Sequence, residues 1–124
     1  MHALLALTLL LAQAPATGQF AGSWSSANSS QSGDITIGLR EEGGKWIGEA
    51  MFTLDGQQVP CKVTRIELTG NQLILAYQFE LGGYTLISTL SGETSDGNWS
   101  GKYETKSVEG SQPVDAGTWK AKKK

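Results

Sequence analysis

Apolar side chains alternate with polar or small ones along most of this chain. The clearest stretch is Gln72–Leu81, where Leu73, Leu75, Tyr77, Phe79 and Leu81 take every second position. A period of two puts these side chains on one face of an extended strand and leaves the other face to water. Ile35, Ile37 and Leu39 repeat the pattern against Asp34, Thr36, Gly38 and Arg40. So do Trp46, Gly48, Ala50 and Phe52, then Trp99, Gly101 and Tyr103, and finally Trp119 with Ala121. The alternation is weaker over 59–68, where Ile66 and Leu68 mark the dry face. It is weaker again over 84–90, where Tyr84, Leu86 and Leu90 share one.

Turn pairs interrupt these runs at short intervals: Gly43-Gly44, Asp55-Gly56, Gly70-Asn71, Gly82-Gly83 and Asp96-Gly97. Such pairs tolerate the positive φ angles of tight hairpins. No segment beyond residue 16 reads as a strong helix. The pattern predicts eight strands, over 20–26, 34–41, 45–54, 58–68, 72–81, 84–91, 97–106 and 115–122. The expected fold is all-β, a single eight-stranded antiparallel up-and-down β-barrel, because closure removes exposed sheet edges. A two-sheet sandwich is the alternative. Two longer polar connections, over 25–33 and 107–114, would either cover an open mouth of the barrel or act as solvated linkers.

Each of the four tryptophans sits two residues from a glycine: Gly22 and Trp24, Trp46 and Gly48, Trp99 and Gly101, Gly117 and Trp119. That spacing places ring and glycine on one strand face, and a glycine leaves room for a ring or lets the strand bend. The recurrence from the first strand to the last points to one shared interior. Trp24, Trp46, Phe52, Tyr77, Phe79, Trp99, Tyr103 and Trp119 are therefore the candidate ligand-binding residues, with Tyr77 and Tyr103 available to orient a guest. An eight-stranded barrel stands between a filled core and a cavity for one small ligand, so the same rings can equally be read as core.

The remaining composition narrows the chemistry. The apolar run 3–12, followed by Ala14-Pro15-Ala16, reads as a secretory signal peptide over 1–16, with a buried first helix as the alternative. Residues 17–124 then form one domain of a secreted or periplasmic protein, with no stable membrane anchor after cleavage. The single histidine is His2, so the cleaved form would hold no His-based triad, His-ligated zinc or imidazole switch. Cys61 is alone, excluding an intrachain disulfide. Ten basic against twelve acidic residues, a formal net charge of −2, offer no nucleic-acid footprint. Glu41-Glu42 reads as a solvated turn, and Lys120, Lys122, Lys123 and Lys124 as a solvated tail. No catalytic constellation, metal site or cofactor is expected.

The first-strand Gly22-Ser-Trp24 resembles the signature of the lipocalin and wider calycin superfamily. The order of Val59-Pro60, Gly70-Asn71, Gly83-Tyr84, Gly97-Asn-Trp99-Ser-Gly101 and Gly117-Thr-Trp119 is similar to that of small secreted bacterial lipocalin-like β-barrel proteins of uncharacterised function. The resemblance implies a calycin-like barrel with a cavity for a small hydrophobic molecule. Lys120 and Lys122 stand where lipocalins commonly place an arginine, and the polar residues that read biotin in avidins are not matched. The expected function is that of a secreted, non-catalytic barrel binding a small apolar ligand inside. The alternative is a protein-interaction or inhibitor module with a packed core.

Overall fold

The computed structural model describes residues 17–110 and 112–124; the leader expected over 1–16 lies outside the described residues. Among the described residues the chain forms β1 (Gly18–Ser26), β2 (Ser32–Glu42), β3 (Lys45–Leu54), β4 (Gln57–Pro60), β5 (Lys62–Thr69), β6 (Gln72–Leu81), β7 (Tyr84–Ser95), β8 (Asn98–Ser107) and β9 (Pro113–Lys123). All pairings are antiparallel, in the order β4-β3-β2-β1-β9-β8-β7-β6-β5. The first and last strands lie side by side, with Phe20 opposite Lys123 and Trp24 opposite Trp119. The meander therefore curls round on itself into a nearly closed barrel.

The expected eight strands become nine because the fourth, over 58–68, divides at Cys61. Pro60 has no N–H to give to a ladder. Up to that residue the chain pairs with β3, and beyond Cys61 it pairs with β6. A register shift between Val63 and Arg65 bends it further. The first half of β3 consequently meets β5 through side chains. Ile66 Cδ1 lies 2.7 Å from the position a Cβ on Gly48 would occupy, so the missing side chain of Gly48 is what lets Ile66 cover the seam.

The hairpins behave as their turn residues dictate. Asp55-Gly56 and Asp96-Gly97 hold positive φ at both positions, 52° and 78°, then 56° and 81°, as a two-residue turn that follows strand twist requires. The alternating residues of every strand converge on one core that includes Phe20, Ile35, Ile37, Leu73, Leu75, Leu90 and Trp99. Burying a side chain of this size contributes roughly 1.5–3 kcal/mol. At one end Phe20 and Trp99 meet edge to face, with ring centres 6.3 Å apart. That end is filled. The other end, where the loop from β1 to β2 and the start of β9 meet, is not.

Candidate functional site

The unfilled end holds a cavity of about 360 Å³. Its apolar wall comes from alternating positions on four strands: Ile35 on β2, Phe52 on β3, Phe79 on β6 and Leu90 on β7. Leu81 and Val114, both exposed at its rim, carry the apolar surface out to solvent. Asn28, Ser29 and Gln31 of the loop between β1 and β2 cover one side. A wider depression outside the barrel is lined by the exposed Lys102, Glu104 and Lys106. Its lining is charged and exposed, whereas the interior cavity is walled by buried apolar side chains, which makes the interior the better candidate for a small ligand.

One side of the cavity is polar, and strand register puts it there. Tyr77 pairs with Ser88, Ser88 with Thr105, and Thr105 with Asp115. These four residues of β6, β7, β8 and β9 form an inward-facing row at a single level. Ser88 and Thr105 are buried and share a hydrogen bond of 2.5 Å. Asp115 accepts from the Tyr103 hydroxyl at 2.8 Å on one oxygen and from Ser26 Oγ at 2.6 Å on the other. Ser26 Oγ also accepts from the backbone N–H groups of Asn28 and Ser29, at 3.1 and 3.2 Å. The covering loop is thus tied through one hydroxyl to the carboxylate beside it.

Burial shapes the acidity of these groups. The Tyr77 phenol is held well above the ordinary tyrosine range, first by burial and then by the nearby Cys61 thiol, with the Ser88 hydroxyl opposing. Tyr103 is raised as well, by burial first and then by its bond to Asp115. Both remain protonated donors at any physiological pH. The Cys61 thiol is pushed up to about 12, chiefly by burial, which makes it a poor nucleophile.

Of the eight aromatic candidates, Trp24, Phe52, Tyr77, Phe79 and Tyr103 line the cavity. Trp24 touches both Phe52 and Tyr103 edge to face, with ring centres 6.1 Å apart in each case. Phe52 meets Phe79 at 4.9 Å. Trp46, Trp99 and Trp119 do not reach the cavity. Trp99 is in the filled end against Phe20. Trp119 is buried against β7 and β8 and donates to the carbonyls of Ser91 and Lys102, at 3.3 and 3.2 Å. Trp46 is half-buried at the start of β3 and packs on the core from its edge.

Sequence reasoning missed Ser26, Ser88, Thr105 and Asp115. Parity carried the signal: Ser88 falls between Leu86 and Leu90 on their face, Thr105 follows Tyr103, and Asp115 precedes Gly117 and Trp119 by the same step of two. Glu41 and Glu42 are exposed, and Glu42 pairs with Arg40 at 2.5 Å. Among the described residues no three Asp, Glu, His or Cys side chains gather as a metal would require. Fold and cavity together define an antiparallel, nearly closed β-barrel with an amphipathic pocket at one mouth. No protein-family model, curated protein or solved structure matches this chain.

Proposed function

We propose that this protein is a secreted, lipocalin-like barrel that holds a small apolar molecule with a polar end and performs no chemistry on it. The observation that carries this reading is the cavity of about 360 Å³, walled by Phe52, Phe79, Ile35 and Leu90 and edged by hydroxyls. That size falls within the range of small-molecule sites, and the mix of mostly apolar wall and few polar groups is characteristic of them. A barrel acting only through its outer face would gain stability by filling the same space with larger side chains. The polar groups favour binding over catalysis. Ser88 and Thr105 are hydrogen-bonded to each other, and Tyr77 and Tyr103 are held protonated. A nucleophile needs a base beside it, and Asp115 instead accepts from Tyr103 and Ser26.

The test is thermal unfolding and intrinsic tryptophan fluorescence of the purified protein against fatty acids, fatty alcohols, alkylamines, retinoids and small aromatics. At least one class is expected to raise the melting temperature and to perturb Trp24, which lines the cavity. A flat response across the whole panel overturns the reading.

A further inference from the structure

The polar edge of the cavity has a definite sign. Asp115 is the one carboxylate among the lining residues, and none of the others is lysine, arginine or histidine. Its two oxygens provide about four acceptor positions. The hydroxyls of Ser26 and Tyr103 occupy one on each oxygen. Both donors are neutral, so they fix the carboxylate's orientation without cancelling its charge. Trp24 and Tyr103, which pack edge to face, line the same cavity. A guest with an anionic head would bring like charge against Asp115. A guest with a neutral acceptor would find no free donor on it. A compact group with several N–H donors and a positive charge matches both the acceptors and the charge, and charge-assisted hydrogen bonds are roughly twice as strong as neutral ones.

We propose that the cavity selects a primary ammonium on an apolar body, an alkylamine or aralkylamine. The apolar body lies among Ile35, Phe52, Phe79 and Leu90, and the NH₃⁺ donates to Asp115 beside Trp24 and Tyr103. This inference rests on reading the cavity as a ligand site and adds the class of head group. The guest enters past Leu81 and Val114, whose exposed apolar surface is continuous with the cavity wall.

Calorimetric titration of the intact protein with octylamine, octanol and octanoate, which share one chain and differ in the head, tests it. Octylamine is expected to bind at least about tenfold more tightly than octanol, with octanoate weakest. Asp115→Asn, its fold checked by circular dichroism, is expected to bring octylamine to within about threefold of octanol. The comparison of three heads on the unaltered protein stands even if the variant does not fold. Equal affinities for amine and alcohol, a preference for octanoate, or an amine preference that survives in folded Asp115→Asn overturns the inference while leaving a ligand cavity in place. No binding of any of the three overturns this proposal and counts against the cavity reading itself.

Discussion

Trp24 and Trp119 face each other across β1 and β9, yet their indoles run in opposite directions around the barrel. Trp24 passes over Gly33 on β2, where a Cβ would lie 2.7 Å from its Nε1, and donates to the Thr53 carbonyl of β3 at 3.1 Å. Trp119 crosses β8 and lies over Gly92 on β7, where a Cβ would lie 2.7 Å from its Cζ2, and donates to the Ser91 carbonyl at 3.3 Å. Each ring thus spans a neighbouring strand and ties itself to the one beyond. The pair thereby braces the strands on either side of the junction between the first and last strands, Trp24 those at β2 and β3 and Trp119 those at β8 and β7. Only one of the two, Trp24, is also part of the cavity wall.

The glycines that make this possible are predicted to be intolerant of any side chain. At Gly101 a Cβ would fall 1.8 Å from the Ser91 carbonyl oxygen and 2.5 Å from the Cα of Gly92. Both obstacles are backbone, so no rotamer change relieves them. Gly101→Val is expected to destabilise the protein by at least roughly 1–3 kcal/mol, the ordinary cost of overpacking. Urea unfolding followed by tryptophan fluorescence measures it. An unchanged midpoint would show that β7 and β8 do not approach as closely as described.

Much of this architecture is written in the sequence, and the exceptions have physical causes. The parity of Leu73 to Leu81 and of Ile35 to Leu39 fixes which faces are dry, and the Asp-Gly and Gly-Gly pairs place the hairpins. The split at Cys61 was not legible, because alternation reports faces and not partners. Nothing local says that the chain changes from pairing with β3 to pairing with β6. The Gly-x-Trp spacing locates the rings on the inner face but misidentifies what they lie over. Trp24 and Trp119 use glycines of other strands, Gly33 on β2 and Gly92 on β7, which only register reveals. Aromatic character likewise fails to separate Trp24 and Tyr103 at the cavity from Trp46 and Trp99 away from it, since all four pack on the same core. Asp115 escaped notice because a single aspartate near a loop ordinarily belongs to the solvent.

Alkaline pH is predicted to weaken the fold. Cys61 is raised from 9.0 to about 12, and Tyr77 and Tyr103 are raised above the ordinary value of 10.0. A raised folded value means that the native state holds its proton more tightly than the unfolded chain does. The stability these groups contribute is therefore complete below about pH 7.5, where their unfolded counterparts are still protonated. It declines as pH rises toward the folded values. Urea midpoints between about pH 8 and about pH 12 should fall steadily, and Tyr103→Phe should reduce the slope. A midpoint that is flat over that interval contradicts the buried placement of the two phenols and the partly buried placement of the Cys61 thiol.

The same burial predicts a sluggish thiol. At about pH 8 the thiolate population of Cys61 is expected to be on the order of 10³-fold lower than that of an exposed cysteine. Alkylation by iodoacetamide should be slow by a similar factor in the native protein and become ordinary in denaturant. Mass spectrometry over a time course reads both. Rapid modification of the native protein would mean that the seam between β4 and β5 opens readily, exposing the sulfur that now lies 3.4 Å from the Val59 carbonyl oxygen.

The buried pair of Ser88 and Thr105 offers the sharpest measure of how dry the cavity wall is. Their oxygens are 2.5 Å apart, and each hydroxyl is nearly inaccessible to solvent. In Ser88→Ala the Thr105 hydroxyl loses its bond, and a buried unsatisfied group costs about 1–3 kcal/mol; in Thr105→Val the Ser88 hydroxyl keeps the Tyr77 phenol as a neighbour. Replacing both removes the Ser88–Thr105 bond without leaving either of its two partners behind. The double variant should therefore be less destabilised than the sum of the two single ones, by about 0.5–3 kcal/mol of coupling for neighbours of this kind. Chemical unfolding of the four proteins in the cycle gives the number. Strict additivity would mean that water reaches both hydroxyls and replaces the lost partner, and the wall at β7 and β8 would then be wet. A large coupling would identify that stretch of wall, next to Asp115, as closed to water.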